Sequence, residues 1–194
     1  AAEGSGIVSE MERIRLFAAA GGDIYVSLDP YAKRLPALEA FLLERGIALA
    51  TTERDGVTYR NIVKDPDNAI TTDGFTVRAD IADGETASRI FSRYSETGSG
   101  DVIVSSTAAL TLTGGAVPVL VTTRSAETVA GGVTVSREGN YTVAAMSATE
   151  TEGGTSNLFV TPSIYLTASD ALISSGYSNK DFTYSLLAEF SGND

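Results

Sequence analysis

The sequence predicts an α/β domain with a mainly parallel sheet flanked by helices and an inserted portion that is rich in β-hairpins. Three observations lead to this prediction. Residues 10–46 have the pattern of a helix, a short apolar strand and a second helix. Single apolar strands and amphipathic helices alternate again further along the chain, as they do in parallel sheets. Turn signals crowd residues 47–81, which is typical of short strands joined by loops.

The first helix is predicted from a capping box. Ser9 is followed three residues later by Glu12, ahead of an apolar pattern with helical spacing. The helix should end near Ala20, because the next two residues, Gly21 and Gly22, adopt positive φ at no steric cost.

A strand and a second helix should follow directly. Residues 24–28 (IYVSL) form a nearly continuous apolar run, as a strand covered on both faces would. Pro36 suits the first turn of a helix, and Gly46 is expected to end it. This helix–strand–helix unit is the main reason for predicting a parallel sheet.

The remaining elements are predicted from apolar runs and their periodicity. Strands are expected at short apolar or β-branched runs, and helices where apolar residues recur with a period near 3.6. The expected elements are short strands between Ile47 and Ile81, a helix over Glu85–Tyr94, strands over Asp101–Val104, Val117–Thr122 and Asn157–Thr161, a hairpin within Val133–Met146 around Glu138-Gly139-Asn140, a polar loop over Glu150–Thr155, a turn or short helix over Tyr165–Leu172, and a closing helix over Asn179–Phe190.

Composition limits the class of function. A chain of 194 residues that is 43% hydrophobic can bury one substantial core, so residues 1–194 are predicted to form a single domain. Its formal net charge of -11 repels phosphate backbones, which argues against nucleic acid as a partner. The chain has neither Cys nor His, and therefore lacks thiolate nucleophiles, Ser-His-Asp triads and the usual zinc ligands. No apolar stretch approaches the roughly 20 residues of a membrane-spanning helix.

Asp29 raises the main question about function. It follows an apolar strand and precedes Pro30, and α/β proteins place ligand groups at the carboxyl ends of their strands. An Asp-Pro pair also initiates turns, in which the carboxylate accepts hydrogen bonds from nearby backbone amides. The sequence favours the turn, because a position in a fold does not by itself give a function.

The other candidate motifs depart from the patterns that chemistry requires. Residues 64–74 carry four oxygen ligands of the kind that calcium uses, but they lack the calcium-loop spacing and the terminal Glu, so a solvated turn is favoured. The glycine pairs lack phosphate-binding patterns, and the hydroxyl residues after the 101–104 strand lack a nucleophile elbow and a base. The calcium-type ligands are Asp65, Asp67, Asn68 and Asp73, and the glycine pairs lie at 114–115, 131–132 and 153–154. The hydroxyl residues are Ser105, Ser106 and Thr107. A lysine could replace histidine as the base, but nothing places Lys33, Lys64 or Lys180 beside a serine.

The chain has GGDIYVSLDP from Gly21, followed by LPALEAFLLERGI up to Ile47. These segments resemble the extracytoplasmic auxiliary domains of GldG-type ABC transport systems. In that family a helix is followed by a glycine pair, an apolar strand ending in Asp-Pro, and the pattern LP.L..LL...GI. The chain's segment SNLFVTPSIYLTASDALISSGYSNKDFTYSLLAEFSG is similar to the family's closing strand, small-residue turn, Asn and apolar helix. The middle matches loosely, through NAITTDGFTV and VPVLVTTRSA.

The resemblance implies a Rossmann-type α/β fold, class I glutamine-amidotransferase-like or flavodoxin-like, without its catalytic residues. It implies a bacterial protein at the extracytoplasmic face of the cell membrane, with ABC transporter permease and ATPase subunits as partners. Family members carry further α/β structure before the first helix and a membrane helix after the last. We therefore expect residues 1–194 to be a soluble excerpt of a longer membrane-anchored protein.

We accordingly predict a non-catalytic auxiliary or binding domain, not an enzyme, that engages a partner, a small solute or a glycan without a cofactor or a metal. Any ligand-binding cleft should lie where strands end or helices begin. The residues expected there are Asp29, Tyr31, Ser105, Ser163 and Asn179.

Two alternatives stay open. The first is a secreted or cell-surface module that binds carbohydrate or peptide, which an exposed cluster of tyrosines would support. The second is a hydrolase with two carboxylates roughly 5 to 10 Å apart in a pocket. The tyrosines that could form the cluster are Tyr31, Tyr59, Tyr94, Tyr141 and Tyr165.

Overall fold

The computed structural model describes residues 9–92, 102–163 and 179–190. Within those ranges thirteen strands accompany four short helices, so the described part of the chain is dominated by β-structure. The helices are α1 (Glu10–Ala19), α2 (Pro36–Glu44), α3 (Glu85–Ser92) and α4 (Lys180–Phe190). The strands are β1 (Ile24–Ser27), β2 (Ile47–Leu49), β3 (Thr51–Arg54), β4 (Val57–Arg60), β5 (Ile62–Lys64), β6 (Thr76–Ile81), β7 (Val102–Ser105), β8 (Leu110–Leu112), β9 (Val117–Val121), β10 (Glu127–Ala130), β11 (Val133–Ser136), β12 (Thr142–Thr151) and β13 (Gly154–Thr161).

The N-terminal elements are those that the sequence predicts. The Ser9 hydroxyl accepts a hydrogen bond from the Glu12 amide at 3.2 Å, which is half of the predicted capping box. The helix ends at the predicted glycines, and Gly21 has a φ of +83°. β1 and α2 then follow at the expected places.

The predicted sheet is wrong. An eight-stranded mixed sheet has the order β1-β13-β12-β9-β6-β7, with β8 beside β12 and β2 beside β8, and it curls into a half-barrel. Among the described strands of this sheet, only β1 and β13 pair in parallel, and the other pairs are antiparallel. The chain is therefore not a helix-flanked parallel α/β fold of Rossmann or flavodoxin type.

The error has a physical reason. A strand followed by a helix and another strand normally forms a right-handed parallel crossover. Here the strand after α2 is β2, which pairs antiparallel with β8 instead of lying beside β1. The parallel partner of β1 comes from the far end of the sequence, where Ile24 lies opposite Leu158. Periodicity predicts elements, but it does not predict which strands pair.

The hairpins also differ from the prediction. Residues 138–140 do not close a hairpin; β11 pairs instead with β10, through a turn at Gly131 and Gly132. The expected polar loop at 150–155 is the tip of the longest hairpin, in which Thr151 pairs with Gly154. Two smaller sheets, β11-β10-β5 and β3-β4, complete the described structure.

The buried core lies on the faces of the large sheet. The Phe159 ring stacks on Tyr25 at 5.4 Å between centroids and contacts Phe182 of α4 at 6.3 Å. The closing helix therefore packs on the sheet that contains β1. A second cluster packs Phe41 and Leu42 of α2 against the same sheet. No helix in the described ranges is long and apolar enough to cross a membrane.

Candidate functional site

The chain leaves β1 through a tight turn at residues 29–32. The Asp29 carboxylate accepts a hydrogen bond from the Tyr31 amide at 2.8 Å, and the Ala32 amide donates to the Asp29 carbonyl at 3.1 Å. This is the carboxylate-to-amide bond that the turn interpretation of Asp29 requires. Asp29 and Pro30 thus fix the direction of the chain, and they place Tyr31 on the surface with 63% of its area exposed.

Arg60 holds this turn in place. One guanidinium nitrogen donates to the carbonyl oxygens of Asp29, Pro30 and Ala32, at 3.0, 3.1 and 3.0 Å. The other terminal nitrogen donates to the Glu39 carboxylate of α2 at 3.2 Å. The side chain is only 12% exposed, so it acts as an internal brace between the turn, the helix and β4. Only arginine presents enough donors in a fixed plane to make all four bonds.

A cavity of about 460 Å³ opens beside the braced turn. Among the described residues its wall is mostly apolar, with three aromatic rings, two guanidinium groups and no carboxylate. The size is within the range of small-molecule and peptide pockets. The lining residues are Pro30, Tyr31, Ala32, Arg34, Thr51, Thr58, Tyr59, Arg60, Ile62, Phe75, Val129, Gly131 and Gly132.

The position of Tyr59 depends on a glycine. Its ring lies close to Gly131, where an added Cβ would be 3.1 to 3.2 Å from three ring atoms. Gly131 also has a φ of +56°, in the left-handed region that favours glycine. The Arg54 guanidinium donates to the neighbouring Ala130 carbonyl at 3.2 Å. The tip of the β10–β11 hairpin is thus clamped onto the β3–β4 hairpin.

The charged side chains in the described wall of the cavity are both arginines. Arg34 and Arg60 share the single carboxylate of Glu39, to which Arg34 donates at 2.9 Å. The hydrogen bond from Arg34, with a smaller contribution from Arg60, lowers the pKa of Glu39, against the opposing effect of burial. Arg54 has no carboxylate partner in the described part of the chain. The described wall is thus basic in a protein of formal net charge -11, although the carboxylates of Asp29, Asp73 and Glu53 lie near it.

The Tyr31 phenol has a pKa above its ordinary value. Partial removal of its hydroxyl from water raises the pKa of Tyr31, and the negative charges of Asp73 and Asp29 raise it further, although a hydrogen bond with Ser106 opposes them. The phenol therefore stays neutral at any physiological pH. Asp73 is itself occupied, because its carboxylate accepts from the Thr71 hydroxyl at 2.6 Å and from the Phe75 amide at 3.0 Å.

A second cavity of about 280 Å³ adjoins the first. Arg34, Thr51 and Arg60 line both, so the Arg60 brace separates them. The second cavity lies against α2 and β2, and its walls include Ala40 and Leu49.

The structure divides the five predicted site residues into separate groups. Asp29 and Tyr31 share the turn beside the cavity. Ser105 and Ser163 meet elsewhere: the Ser163 hydroxyl donates to the Ser105 carbonyl at 2.9 Å, and the Ser105 hydroxyl bonds to that of Thr76 at 2.9 Å. Neither serine lines the cavity, although Ser106 next to Ser105 contacts Tyr31.

Asn179 is a structural residue at the start of α4. It is 1% exposed, and its amide group exchanges two hydrogen bonds with the backbone of Ile103, at 2.9 and 2.6 Å. These bonds fasten the helix to β7. The side-chain oxygen and nitrogen of Asn179 are therefore both bonded to the backbone of Ile103, which argues against a direct role in binding a ligand.

Two of the five tyrosines proposed as a cluster come together. Tyr31 and Tyr59 line the same cavity. Tyr141 lies outside that lining and donates to the Ser136 hydroxyl at 2.9 Å. Tyr94 and Tyr165 fall outside the described residues, as does the element expected at 165–172.

The calcium-like run is partly a buried network and not simply a solvated turn. Asp65 is fully buried, and its carboxylate accepts from the hydroxyls of Thr123 and Ser125 and from the amides of Asp67 and Asn68. The Ser125 bond is 2.8 Å long. Four donors satisfy the carboxylate, and no group of three or more metal-ligating side chains occurs among the described residues.

The sequence analysis did not predict that Arg60, Glu39 and Phe75 belong to this site, and it did not predict the contact between Gly131 and Tyr59. Arg60 carries one signal, since an arginine after an aromatic residue in the strand-like stretch VTYR is compatible with an inward-facing guanidinium. Its partners come from the turn at 29–32 and from α2, at sequence separations of 21 to 31. No local pattern encodes those contacts.

Comparisons with known proteins give a fold but no family. No protein-family model matches the chain, and neither does any curated protein. One solved structure that is similar carries the description "mmIFT52 N-terminal domain", with a TM-score of 0.61 and 19% identity over 95% of this chain and 72% of that chain. At this identity the likeness shows the fold alone, and it supports the β-rich mixed sheet over a parallel α/β sheet.

Proposed function

We propose that the chain is a non-catalytic binding domain, used as the extracytoplasmic auxiliary domain of a GldG-like ABC transport system, and that the cavity beside Tyr31 is its ligand site. The single observation that carries the proposal is this cavity of about 460 Å³, with its aromatic wall and braced arginine. The transport context rests on the two family-like segments. One of them, GGDIYVSLDP, contributes Pro30 to the cavity wall, and Tyr31 follows it directly.

The character of the wall favours binding over chemistry. Tyr31, Tyr59 and Phe75 offer apolar faces, and the two lining cations have partners that hold them still. None of the described residues in the wall is a carboxylate or a histidine that could move a proton. A rigid wall that needs no rearrangement loses little free energy on binding.

Site-specific photo-crosslinking in the source organism tests this function. A benzophenone amino acid at Tyr31, which is 63% exposed in the cavity wall, should capture the permease subunit of an ABC transporter or its bound solute. The matched control is Leu16 of α1, which is 61% exposed and lies outside the cavity wall. Equal crosslinking from both positions, or products from neither, would contradict the proposal.

A carbohydrate- or peptide-binding module of the cell surface is the second candidate, and the pairing of Tyr31 and Tyr59 in one cavity favours it. A glycan array read with Tyr59→Ala separates the candidates. Saccharide binding that disappears in the variant would favour the surface module. An array without bound saccharides would count against a carbohydrate ligand.

A further inference from the structure

The outer edge of β4 has backbone groups that no strand among the described residues pairs. Along the continuous stretch from Val57 to Lys64, successive residues direct their backbone groups to opposite sides. The Asn61 amide donates to Ala50 and the Val63 amide to Thr107, each at 2.9 Å, so the odd-numbered residues face the β3 side. The even-numbered residues must face the other side, where β10 lies.

β10 covers only half of that side. It pairs with Ile62 and Lys64 through Val129 and Glu127, and then the chain turns back at Gly131 and Gly132. The N–H and C=O groups of Thr58 and Arg60 lie beyond this turn. In the part of the chain that the structure describes, no backbone hydrogen bond reaches them from this side.

The cavity occupies the place that a longer β10 would fill. Thr58 and Arg60 point to one face of β4 and Tyr59 to the other, yet all three line it. Side chains from both faces of β4 line the cavity together with Thr51 of β3, so it covers the face that carries Arg60 and also reaches the outer edge of β4. Val129, Gly131 and Gly132 line its other end, which is where the neighbouring strand stops.

The charged side chains in the cavity wall favour an acidic occupant. Arg34 and Arg60 are the charged residues of the described lining, and they share the carboxylate of Glu39. The carboxylates of Asp29, Asp73 and Glu53 lie outside that lining. The aromatic rings of Tyr31 and Phe75 also line the cavity and offer apolar surface to a side chain of the occupant. An occupant with carboxylates on one face and an apolar residue on the other matches both features.

We propose that an extended acidic peptide binds by adding a strand to the outer edge of β4, with its backbone paired to Thr58 and Arg60 and an apolar side chain between Tyr31 and Phe75. This inference rests on the proposed function, because it assigns the ligand class of the same cavity. A row of alternate amides and carbonyls is what an extended peptide recognises, since main-chain hydrogen bonds supply affinity in strand addition. A saccharide has no matching repeat of donors and acceptors.

The first probe is a fluorescein-labelled peptide, DEVEFEVED, titrated against the chain of residues 1–194 and followed by fluorescence anisotropy. Its basic counterpart KKVKFKVKK should bind at least about tenfold more weakly, because it meets the arginine rim with like charge. N-methylation of alternate amides then tests the pairing without altering the protein. Methyl groups on the amides that face β4 should weaken binding about tenfold or more, and methyl groups on the other set should not. Equal effects of the two sets would overturn strand addition.

A pair of variants of Thr58 provides the matching test on the protein. Thr58→Pro removes the outward-facing N–H without removing a hairpin hydrogen bond, because edge positions tolerate proline. Thr58→Val removes the hydroxyl, which donates to Glu53 at 3.1 Å, but keeps the N–H. Binding should fall about tenfold in the proline variant and stay within about twofold in the valine variant. Equal loss in both would overturn the proposal, and if the proline variant fails to fold, the methylated peptides decide.

Failure of this proposal can be told apart from failure of the proposed function. No binding of the acidic peptide together with saccharide binding that Tyr59→Ala abolishes would overturn the peptide and keep the cavity as the ligand site. Peptide binding that Tyr59→Ala and Arg34→Ala leave unchanged would overturn both, since the ligand would then bind elsewhere on the chain.

Discussion

The two halves of the stretch from Val57 to Lys64 have nearly the same local structure and opposite surroundings. β5 is paired on both edges, Ile62 and Val63 are buried, and the satisfied carboxylate of Asp65 follows. Within the described ranges β4 is paired on one edge only, and none of its residues is fully buried. The difference arises from its neighbour, because β10 stops at Ala130.

This contrast shows how one strand can serve both stability and binding. Pairing on both edges and burial give the β5 half its share of the folding free energy. An edge left open is a hazard for aggregation unless it is short or charged. Here β4 spans four residues, and Arg60 with Arg54 places charge along it. The predictions below test the two halves separately.

The largest effect is expected at Asp65. Asp65→Ala leaves two hydroxyls and two amides without their acceptor, so the free energy of unfolding should fall by about 2–3 kcal/mol in a denaturant titration. Asp67→Ala is the matched control, because Asp67 is exposed. A similar loss in the free energy of unfolding at both positions would contradict the claim that the buried hydrogen bonds of Asp65 stabilise the fold more than the exposed turn residue Asp67 does.

The next effect compares valines in the two halves. Val63 is 0% exposed, so Val63→Ala should lower the free energy of unfolding by about 2 kcal/mol through lost burial and the cavity left behind. Val57 is 48% exposed, and Val57→Ala should change it by less than about 0.5 kcal/mol. Equal losses in thermal or denaturant unfolding would mean that β4 is as well packed as β5.

Arg60 should matter more to the site than to the fold. Arg60→Ala removes the brace on the turn at 29–32 and should lower the free energy of unfolding by about 1–2 kcal/mol while abolishing binding of the acidic peptide. Arg60→Lys should restore the stability partly and the binding hardly, because an ammonium cannot make the same planar set of bonds. Full recovery of binding with lysine would contradict the role of the guanidinium.

The smallest effect is a pH dependence from Glu39. Its pKa is lowered in the folded state, so its stabilising contribution is complete above its ordinary value of 4.5 and is lost as the pH falls through the lowered value. Between about pH 6 and pH 3, the wild type should therefore lose more stability than Glu39→Gln. Glu44→Gln, on the same helix at a side chain that is 57% exposed, is the control for charge removal.

The sequence predicted the local elements better than their arrangement. The capping box at Ser9, β1, α2 and α4 follow from caps and periodicity, which depend on neighbouring residues. The prediction of a parallel sheet was wrong because the pairing of β1 with β13 joins residues more than a hundred positions apart. The antiparallel pairing of β2 with β8 likewise has no signature in the local sequence.

The candidate site shows the same division. Asp29 and Tyr31 could be found because a turn after a strand has a short signature. Arg60 and Phe75 could not, since they reach the cavity through contacts that the fold creates. Ser105, Ser163 and Asn179 lie at the expected strand ends and helix start, but the fold uses their polar atoms to join its own elements.

Amide hydrogen exchange on β4 tests the open edge most directly. In the chain without ligand, the amides of Thr58 and Arg60 should exchange fast, whereas those of Val57 and Tyr59, which face β3, should be protected. Addition of the acidic peptide should slow Thr58 and Arg60 and leave the other two unchanged. Equal protection of all four amides before peptide is added, or no change at Thr58 and Arg60 at saturating peptide, would contradict the account.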